Sequence, residues 1–296
     1  MSRSVAVLGP GAVGGALAVR LLLGGVRTIC VAPPEVTGLI ALAGIMVETE
    51  GTALSARPEI TEELEETVDL LVVTVKAPDL VDALERIDPA SVASGVVLSL
   101  MNGLEHMDVL RARFGERVAA GSVSHYQAYR AGRVQIIETT PPPLITIASD
   151  HLSRSELERS AELLHLARLD VRIATSEKRV LWRKVARIAP LAAATAATSR
   201  PIGELRSDPQ WRPRLERAVG EACAVAAADG VALNVGEQWT IIDALPKGLR
   251  PSAARDMADG RRSELDAIVG AVLRAGERLD VPCPELRRLA VSAGWS

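Results

Sequence analysis

A glycine-rich turn near the start of the chain is the first group of residues that could bind a ligand. It has the sequence Gly9-Pro10-Gly11-Ala12-Val13-Gly14, follows an apolar run at residues 5–8 and precedes a helical pattern at 12–23. Between a strand and a helix, the three glycines of G-x-G-x-x-G permit a tight turn, a close approach of pyrophosphate and close helix packing. The helix N-terminus favours the same anion. These six residues predict a dinucleotide-binding site.

The residues after the second predicted strand bear on which dinucleotide binds. An acid there accepts a hydrogen bond from the ribose 2′-hydroxyl of NAD, whereas an arginine binds the 2′-phosphate of NADP. Val31 is followed here by Ala32-Pro33-Pro34-Glu35. Glu35 lies 21 residues after Gly14, near the spacing of an NAD-binding acid, but two prolines displace it from the strand end. The residues leave the choice between NAD and NADP open.

Polar side chains also follow two later apolar runs, in Thr74-Val75-Lys76-Ala77 and in Leu100-Met101-Asn102-Gly103. Ligands of open α/β sheets bind at the carboxyl ends of the strands, so we expect Lys76 and Asn102 to meet the cofactor. A structural role is favoured for His125, which ends another strand. The remaining histidines lack the partner spacing of a metal site, and no metal is expected.

A lysine in the second half of the chain could donate a proton. Lys184 lies in a helical pattern, and its neighbours on the same face at +4 and +8 are Ile188 and Ala192. An ammonium held against that apolar face would have a lowered pKa, as a general acid near neutral pH requires. The alternative is that Lys184 extends into solvent, as we expect of Arg183 and Arg187.

A carboxylate on an apolar stripe is the second unusual feature of this half. Glu264 shares its stripe with Ile268 and Val272, and a buried carboxylate needs a partner or a purpose. Ser252 would lie about 18 Å away along a straight helix, so one small substrate could contact both residues only if the helix breaks. Gly260 is the predicted break.

The elements that must position these residues divide into two regions. Continuously apolar runs predict strands buried on both faces, at 5–8, 28–31, 70–75, 96–100, 118–123 and 144–148, with helices at 12–23 and 80–87 between them. This pattern indicates a doubly wound α/β domain with a parallel sheet. A helix at 153–169 and a last strand at 171–174 follow, and the chain is helical from residue 176 onward. We therefore predict a Rossmann-type domain at 1–174 and an all-helical domain at 175–296.

Composition excludes several classes of protein. The 296 residues carry a net charge of −3 without a basic tract, and only seven are aromatic, so nucleic-acid binding has little support. Three widely spaced cysteines match neither a disulfide framework nor a zinc site. No apolar run is long enough for a signal peptide or a membrane span, so we expect a cytoplasmic protein. The aliphatic helices of the second domain make a homodimer a reasonable expectation.

Together these features resemble the 2-dehydropantoate 2-reductase (ketopantoate reductase) family over nearly the full length. The resemblance is carried by the glycine-rich turn, by the two polar loops and by motifs of the helical region. Those motifs are Leu181-Trp182-Arg183-Lys184, Gly203-Glu204-Leu205, Ser252 and Arg262-Ser263-Glu264-Leu265-Asp266. The resemblance implies reduction of ketopantoate to pantoate with NADPH, on the route to pantothenate.

The resemblance also implies roles for individual residues. Lys184 would be the general acid, Glu264 would orient it and bind the substrate, and Ser252 would hold the substrate carboxylate. Asn102 and Lys76 would contact the cofactor, and Asn102 the substrate as well. An ammonium beside the developing alkoxide stabilises the transition state more than the ketone, as catalysis requires.

This sequence departs from the family pattern at the expected substrate site. Ile188, Ala192 and Ile202 stand where family members usually carry asparagines, and the usual arginine for the 2′-phosphate is absent after the second strand. Lost hydrogen bonds weaken recognition of a polyhydroxylated acid. The alternatives are therefore reduction of a more apolar ketone, a catalytically silent NAD(P)-binding homologue, or the oxidative direction on a hydroxy or amino compound.

Overall fold

The computed structural model describes residues 3–49, 51–124 and 126–295. The strands are β1 Ser4–Leu8, β2 Arg27–Val31, β3 Ile45–Thr49, β4 Thr52–Ala56, β5 Glu59–Thr61, β6 Leu70–Val73, β7 Val96–Ser99, β8 Val118–Ser124, β9 Ala128–Arg130, β10 Gln135–Glu138, β11 Leu144–Ala148 and β12 Asp170–Ile173. The α-helices are α1 Ala12–Leu23, α2 Pro34–Ala43, α3 Leu80–Leu84, α4 His106–Phe114, α5 Arg154–Leu166, α6 Glu177–Thr198, α7 Ile202–Ser207, α8 Trp211–Ala228, α9 Val235–Ala244, α10 Ser252–Ala258, α11 Ala271–Arg278 and α12 Pro284–Ser292. Short 3₁₀ turns lie at Ala77–Asp79, Pro89–Val92 and Gly115–Arg117, and a π-helical turn lies at Asp266–Gly270.

The chain divides into two compact units. The first contains Met1–Met101 and His106–Val180, and the second contains Asn102–Glu105 and Leu181–Ser296. The second unit thus takes in a short segment that follows β7 in sequence.

The first unit is built around an eight-stranded sheet of order β12-β11-β8-β7-β6-β1-β2-β5. Its described pairs are parallel except β11 with β8, which run antiparallel. The central strands β1, β6 and β7 are buried along their whole length, which explains why their sequences are apolar apart from one terminal serine in β1 and one in β7. The predicted parallel α/β fold is confirmed, although β6 ends at Val73 and α3 ends at Leu84, each before its predicted end.

A second sheet in this unit was not predicted from the sequence. Its order is β4-β3-β10-β9, and β3 pairs with β10 in parallel. It packs against α1, where a Cβ on Gly15 would lie only 2.6 Å from Ile136 Cδ1 of β10. The small sheet therefore covers the helix that follows the glycine-rich turn.

Local contacts account for one helix boundary and for one charged segment that forms no helix. Ser153 caps α5 with a reciprocal capping box to Glu156, as its sequence requires. The acidic run at residues 62–66 forms no helix, because Leu64 within it is buried and bridges Ile87. Its backbone bonds to Arg86 and Asp88 hold the segment extended.

The described part of the second unit contains helices joined by loops, with no strand, and it has its own apolar core. Alanine, valine and leucine from α6, α8, α11 and α12 fill it. Trp182, 1% exposed, is among its largest side chains, and its indole N–H donates to Asp229 Oδ2 at 2.8 Å. This anchor fixes the rotation of α6 just before Lys184. Across the described chain, no helix combines the length and apolar character needed to cross a bilayer.

A buried charge network joins α1 to the small sheet. Arg20 donates through Nη2 to Glu138 Oε2 at 2.5 Å, and the Tyr126 hydroxyl donates to Glu138 Oε1 at 2.8 Å. The Arg20 side chain is 10% exposed and that of Glu138 is fully buried. Burial raises the pKa of the Tyr126 phenol, and the Glu138 charge adds to the effect. Glu138 is thus compensated by one cation and one neutral donor.

Removing one partner of this network should destabilise the protein strongly. We expect Glu138→Ala to lower the free energy of unfolding by about 3–5 kcal/mol, because Arg20 would keep its charge without a partner. The measurement is denaturant unfolding followed by circular dichroism. The control is Glu162→Ala, whose pair with Arg3 is more than half exposed and should be worth less than about 1 kcal/mol. Equal losses in the two variants would contradict the prediction.

Candidate active site

The glycine-rich turn lies between β1 and α1, where a neighbouring strand end fixes its shape. Gly9 has φ of +87°, and its carbonyl accepts a hydrogen bond from Thr74 Oγ1 at 2.8 Å. A Cβ on Gly14 would lie 2.2 Å from the same Thr74 oxygen and 2.5 Å from the Gly9 carbonyl oxygen. Positions 9 and 14 therefore require glycine for the backbone reasons that the motif predicts.

The second glycine of the turn lies in open space. Gly11 is the N-cap of α1 at φ of −78°, and a Cβ there would meet only the Gly9 carbonyl oxygen, at 4.0 Å. No side chain caps this helix, and its first turn carries no acid. Its N-terminal N–H groups are thus positioned for an anion, which fits the pyrophosphate of a dinucleotide.

The end of β2 carries an acid and no base. Pro33 is the N-cap of α2, and Glu35 is exposed in the first turn of that helix. The sequence contains no lysine or arginine from residue 31 to residue 44. This segment can offer a carboxylate to ribose hydroxyls but no cation to a 2′-phosphate.

Lys76 follows β6 at the same end of the sheet as the turn. β6 pairs in parallel with β1, with Val73 opposite Leu8, so both strands end at one edge. Lys76 is half-buried before the 3₁₀ turn Ala77–Asp79 and interacts within the described chain. His125 lies outside the described residues.

In the second unit, Asn102 lies beside the predicted carboxylate. Its Nδ2 donates to Glu264 Oε2 at 3.3 Å. Gly103 has φ of +100°, and a Cβ there would lie 2.3 Å from the carbonyl oxygen of Ala267. The Asn-Gly pair is therefore explained, because only glycine allows the backbone to approach the π-helical turn closely enough to place Asn102.

Lys184 lies on α6, two residues after the buried Trp182. The side chain is half-buried, and burial lowers the pKa of its ammonium to about 8. The carboxylate of Glu264 opposes this shift, and the cation of Arg187 adds to it. The sequence hypothesis of a desolvated lysine therefore agrees with this geometry, and Lys184 and Glu264 interact electrostatically.

Glu264 is 7% exposed and directly precedes the helix that contains the π-helical turn. The helix break predicted at Gly260 is present: α10 ends at Ala258, and Gly260 has φ of +66°. Ser252 is exposed in the first turn of α10. The structure thus brings Asn102, Lys184 and Glu264 together, and no described hydrogen bond joins Ser252 to them.

The three positions where the family usually carries asparagine are apolar in their environment as well. Ala192 and Ile202 are fully buried, and Ile188 packs against the core of the second unit.

Two nearby arginines are not among the site residues that the sequence analysis predicts. Arg250 has a buried Nε without a hydrogen-bond partner in the described structure, and Arg187, expected in solvent, is half-buried. Arg183, by contrast, is exposed as expected.

The residues described contain no cluster of histidine, cysteine and acidic side chains that could hold a metal.

Comparison with known proteins places the chain in a family. The model of the family "Ketopantoate reductase PanE/ApbA" matches residues 5–149, and the model of its C-terminal domain matches residues 178–292. The protein belongs to the ketopantoate reductase family. It is accordingly an NAD(P)-dependent oxidoreductase with the parallel-sheet and helical architecture of that family.

Individual relatives of this ketopantoate reductase family member differ in their named activities. A 2-dehydropantoate 2-reductase of Halobacterium salinarum is 27% identical over 97% of this chain and 96% of its own. The crystal structure of a PanE/ApbA family ketopantoate reductase from Ralstonia eutropha is 28% identical, with a TM-score of 0.87 over 98% of this chain and 97% of its own. D-mandelate dehydrogenase with NADH and anilino(oxo)acetate shares the fold, with a TM-score of 0.90, 21% identity and coverage of 98% and 97%.

The open space at Gly11 gives a direct test of the dinucleotide site. We expect Gly11→Val to weaken NAD(P)H binding by at least tenfold, because the isopropyl group would occupy the space that the phosphate requires. The free energy of unfolding should change by less than about 1 kcal/mol, because nothing else is displaced. Binding is measured by nicotinamide fluorescence. The control is Gly220→Val in α8, where a Cβ also meets nothing within 4 Å. Equal binding by both variants would exclude the turn as the phosphate site.

Proposed function

We propose that the protein reduces a small 2-oxo acid with NADPH, with ketopantoate to pantoate as the reaction that its family implies. One observation carries the proposal most directly. Lys184, with a pKa of about 8, interacts with the buried carboxylate of Glu264, and Asn102 donates to that carboxylate. A protonated amine held beside a ketone is the arrangement that reduction of the carbonyl requires.

In the proposed site, the residues of the turn Gly9-Pro10-Gly11-Ala12-Val13-Gly14, together with Lys76, would hold the dinucleotide. Asn102, Lys184, Ser252 and Glu264 would contact the substrate. The nicotinamide, when bound, would supply a hydride to the carbonyl carbon.

Lys184 completes the reaction by giving a proton to the carbonyl oxygen, so that the ketone becomes a secondary alcohol. Its ammonium also stabilises the alkoxide character of the transition state. Glu264 accepts a hydrogen bond from the substrate and favours the charged form of Lys184. Asn102 orients Glu264 and contacts cofactor and substrate, and Ser252 donates to the substrate carboxylate.

A second candidate substrate class is favoured by the apolar positions. Ile188, Ala192 and Ile202 offer no hydrogen bond to a hydroxylated side chain, and two of them are fully buried. A site without hydrogen-bonding groups for a substrate hydroxyl does not select substrates that carry one over substrates that lack it. A 2-oxo acid with an apolar side chain therefore fits these positions better than ketopantoate does.

The cofactor also has two candidates. The family's ketopantoate reductases imply NADPH, but the exposed Glu35 and the absence of a basic residue at 31–44 favour NADH. A place in pantothenate biosynthesis, a cytoplasmic location and a homodimer remain predictions from the sequence and the family resemblance.

The first test titrates the protein with NADPH and NADH and then supplies ketopantoate and an apolar 2-oxo acid. We expect turnover of at least one acid, and we expect Lys184→Ala to reduce kcat at least 100-fold while the cofactor still binds. Because the acid must be protonated, the kcat/KM of the unmodified enzyme should fall as pH rises through about 8. Undiminished activity in Lys184→Ala would remove the proposed acid. Cofactor binding without any turnover would support a catalytically silent homologue.

A second variant tests the electrostatic role of Glu264. Its carboxylate raises the pKa of Lys184, so Glu264→Gln should move the alkaline limb of the kcat profile to lower pH. The variant keeps an acceptor for the Asn102 amide, so the segment 102–105 should remain in place. The measurement is kcat against pH at saturating substrate. A limb that stays in place would mean that the two residues do not act together.

Glu35 gives a separate test of cofactor choice. We expect Glu35→Arg to raise the ratio of kcat/KM for NADPH to that for NADH by at least tenfold, because a cation replaces a carboxylate near the ribose. The control is Glu62→Arg, a change of the same charge at another exposed acid. A ratio unaffected by the Glu35 change would place the adenosine ribose elsewhere.

A further inference from the structure

Arg187 lies three residues after Lys184 on α6, a spacing that places two side chains on adjoining positions of a helix. The side chain is half-buried. Its Nη1 donates to Gln238 Oε1 at 3.0 Å and to the Arg183 carbonyl oxygen at 3.3 Å. The guanidinium is thus held beside the candidate acid.

The charge of Arg187 has no counterion within the described chain. No carboxylate there lies within 4.0 Å of its guanidinium, and Nε and Nη2 have no hydrogen-bond partner among those residues. Several other half-buried arginines are compensated more fully: Arg20 pairs with Glu138, Arg111 with Glu177 and Arg117 with Glu156, and Arg206 donates to the carbonyl oxygens of Ile242 and Leu245. Partial burial of a cation without a counterion is costly. The guanidinium of Arg187 would therefore be stabilised by a bound anion.

The partner that holds Arg187 is neutral. Gln238 lies on α9, is 2% exposed and presents its amide oxygen to the guanidinium. A glutamate at this position would orient Arg187 equally well but would cancel its charge. The glutamine instead fixes the guanidinium and leaves its full charge available.

The surroundings of Lys184 therefore carry an excess of positive charge. Lys184 and Arg187 contribute two cations and Glu264 one anion, and the pKa of Lys184 responds to both neighbours. The apolar residues at 188, 192 and 202 add no compensating group. A ligand suited to this region carries one negative charge, a carbonyl group and an apolar body.

We propose that Arg187 binds the carboxylate of the substrate, and that the substrate class is a 2-oxo monocarboxylic acid with an apolar side chain. The proposal rests on the proposed function, since Lys184 then protonates the neighbouring ketone oxygen. The planar guanidinium matches a carboxylate through two parallel N–H donors, and Nε and Nη2 form one such pair. Ser252 adds a neutral hydrogen bond at most, whereas Arg187 supplies the charge.

Binding of the carboxylate has a consequence for the acid. The anion offsets the field of Arg187, which otherwise lowers the pKa of Lys184. The ammonium of Lys184 is therefore favoured once the substrate is bound, and the proton is present when the ketone is in place. The charge of the substrate carboxylate and the protonation of Lys184 are thus coupled through Arg187.

The test compares a charged substrate with its neutral counterpart. The matched pair is 2-oxo-3-methylbutanoate and its primary amide, supplied to the enzyme with its better cofactor. For Arg187→Met we expect KM for the acid to rise on the order of 100-fold and the kcat/KM for the amide to change less than threefold, because only the acid offers a carboxylate. Arg187→Lys should recover part of the lost affinity for the acid, because lysine restores the positive charge but not the two parallel N–H donors of the guanidinium.

Matched variants separate binding from other roles. Arg183→Met removes an exposed arginine on the same helix and should leave both substrates unaffected. Gln238→Leu should produce a smaller loss, also confined to the acid. Equal losses for acid and amide in Arg187→Met would overturn the proposal. So would an unchanged KM for the acid accompanied only by a shift of the kcat profile to higher pH.

A binding measurement keeps this inference separable from the proposed function. Calorimetric titration of the enzyme with bound cofactor uses oxamate, an unreactive analogue of a 2-oxo acid. Tight oxamate binding that is lost in Arg187→Met would support the carboxylate site even if no 2-oxo acid were turned over, in which case the proposed function alone would fail. Oxamate binding equal in wild type and variant would overturn the inference, whatever the turnover.

Discussion

The candidate site in the helical unit depends on the compensation of a buried carboxylate. Glu264 is 7% exposed, and an ionised group at such a depth persists only with donors or cations around it. Asn102 supplies an amide donor, and Lys184 supplies a cation. These residues are distant in sequence, so the fold must bring the segment Asn102–Glu105 and helix α6 next to Glu264. The close approach at Gly103 and the anchor at Trp182 are the local means by which it does so.

The π-helical turn after Glu264 takes part in the same arrangement. Arg274 donates to Glu105 and to Asp266, and the indole of Trp295 also donates to Asp266. These bonds tie the segment Asn102–Glu105 to the turn. A π turn interrupts the regular spacing of a helix and is frequent at functional sites. It lets the carbonyl of Ala267 lie against Gly103 while Ile268 stays in the core.

How far the sequence predicts this structure depends on which interactions determine each part. Fully buried strands such as β1 and β6 have a continuous apolar signature, and the glycines at 9 and 14 are required by local backbone geometry. Both were therefore predictable. The small sheet was not, because strands such as β4 are short and largely exposed and take their place by pairing with distant partners. Arg187 was assigned to solvent because helix periodicity cannot show that α9 brings a buried glutamine over it.

The proposed chemistry and the proposed substrate choice depend on neighbouring residues of one helix. Lys184 is the residue to which the family resemblance assigns the general acid, while positions 188 and 192, one and two turns later, carry apolar side chains where the family usually has asparagine. A general acid depends on its pKa, which burial and nearby charges set, and these are supplied by Glu264 and Arg187. Substrate side chains contact other positions on the helix. Under the proposed roles, the residues that line the substrate can therefore change while the charges around Lys184 are preserved. A cation with the role proposed for Arg187 would affect substrate binding and proton transfer together.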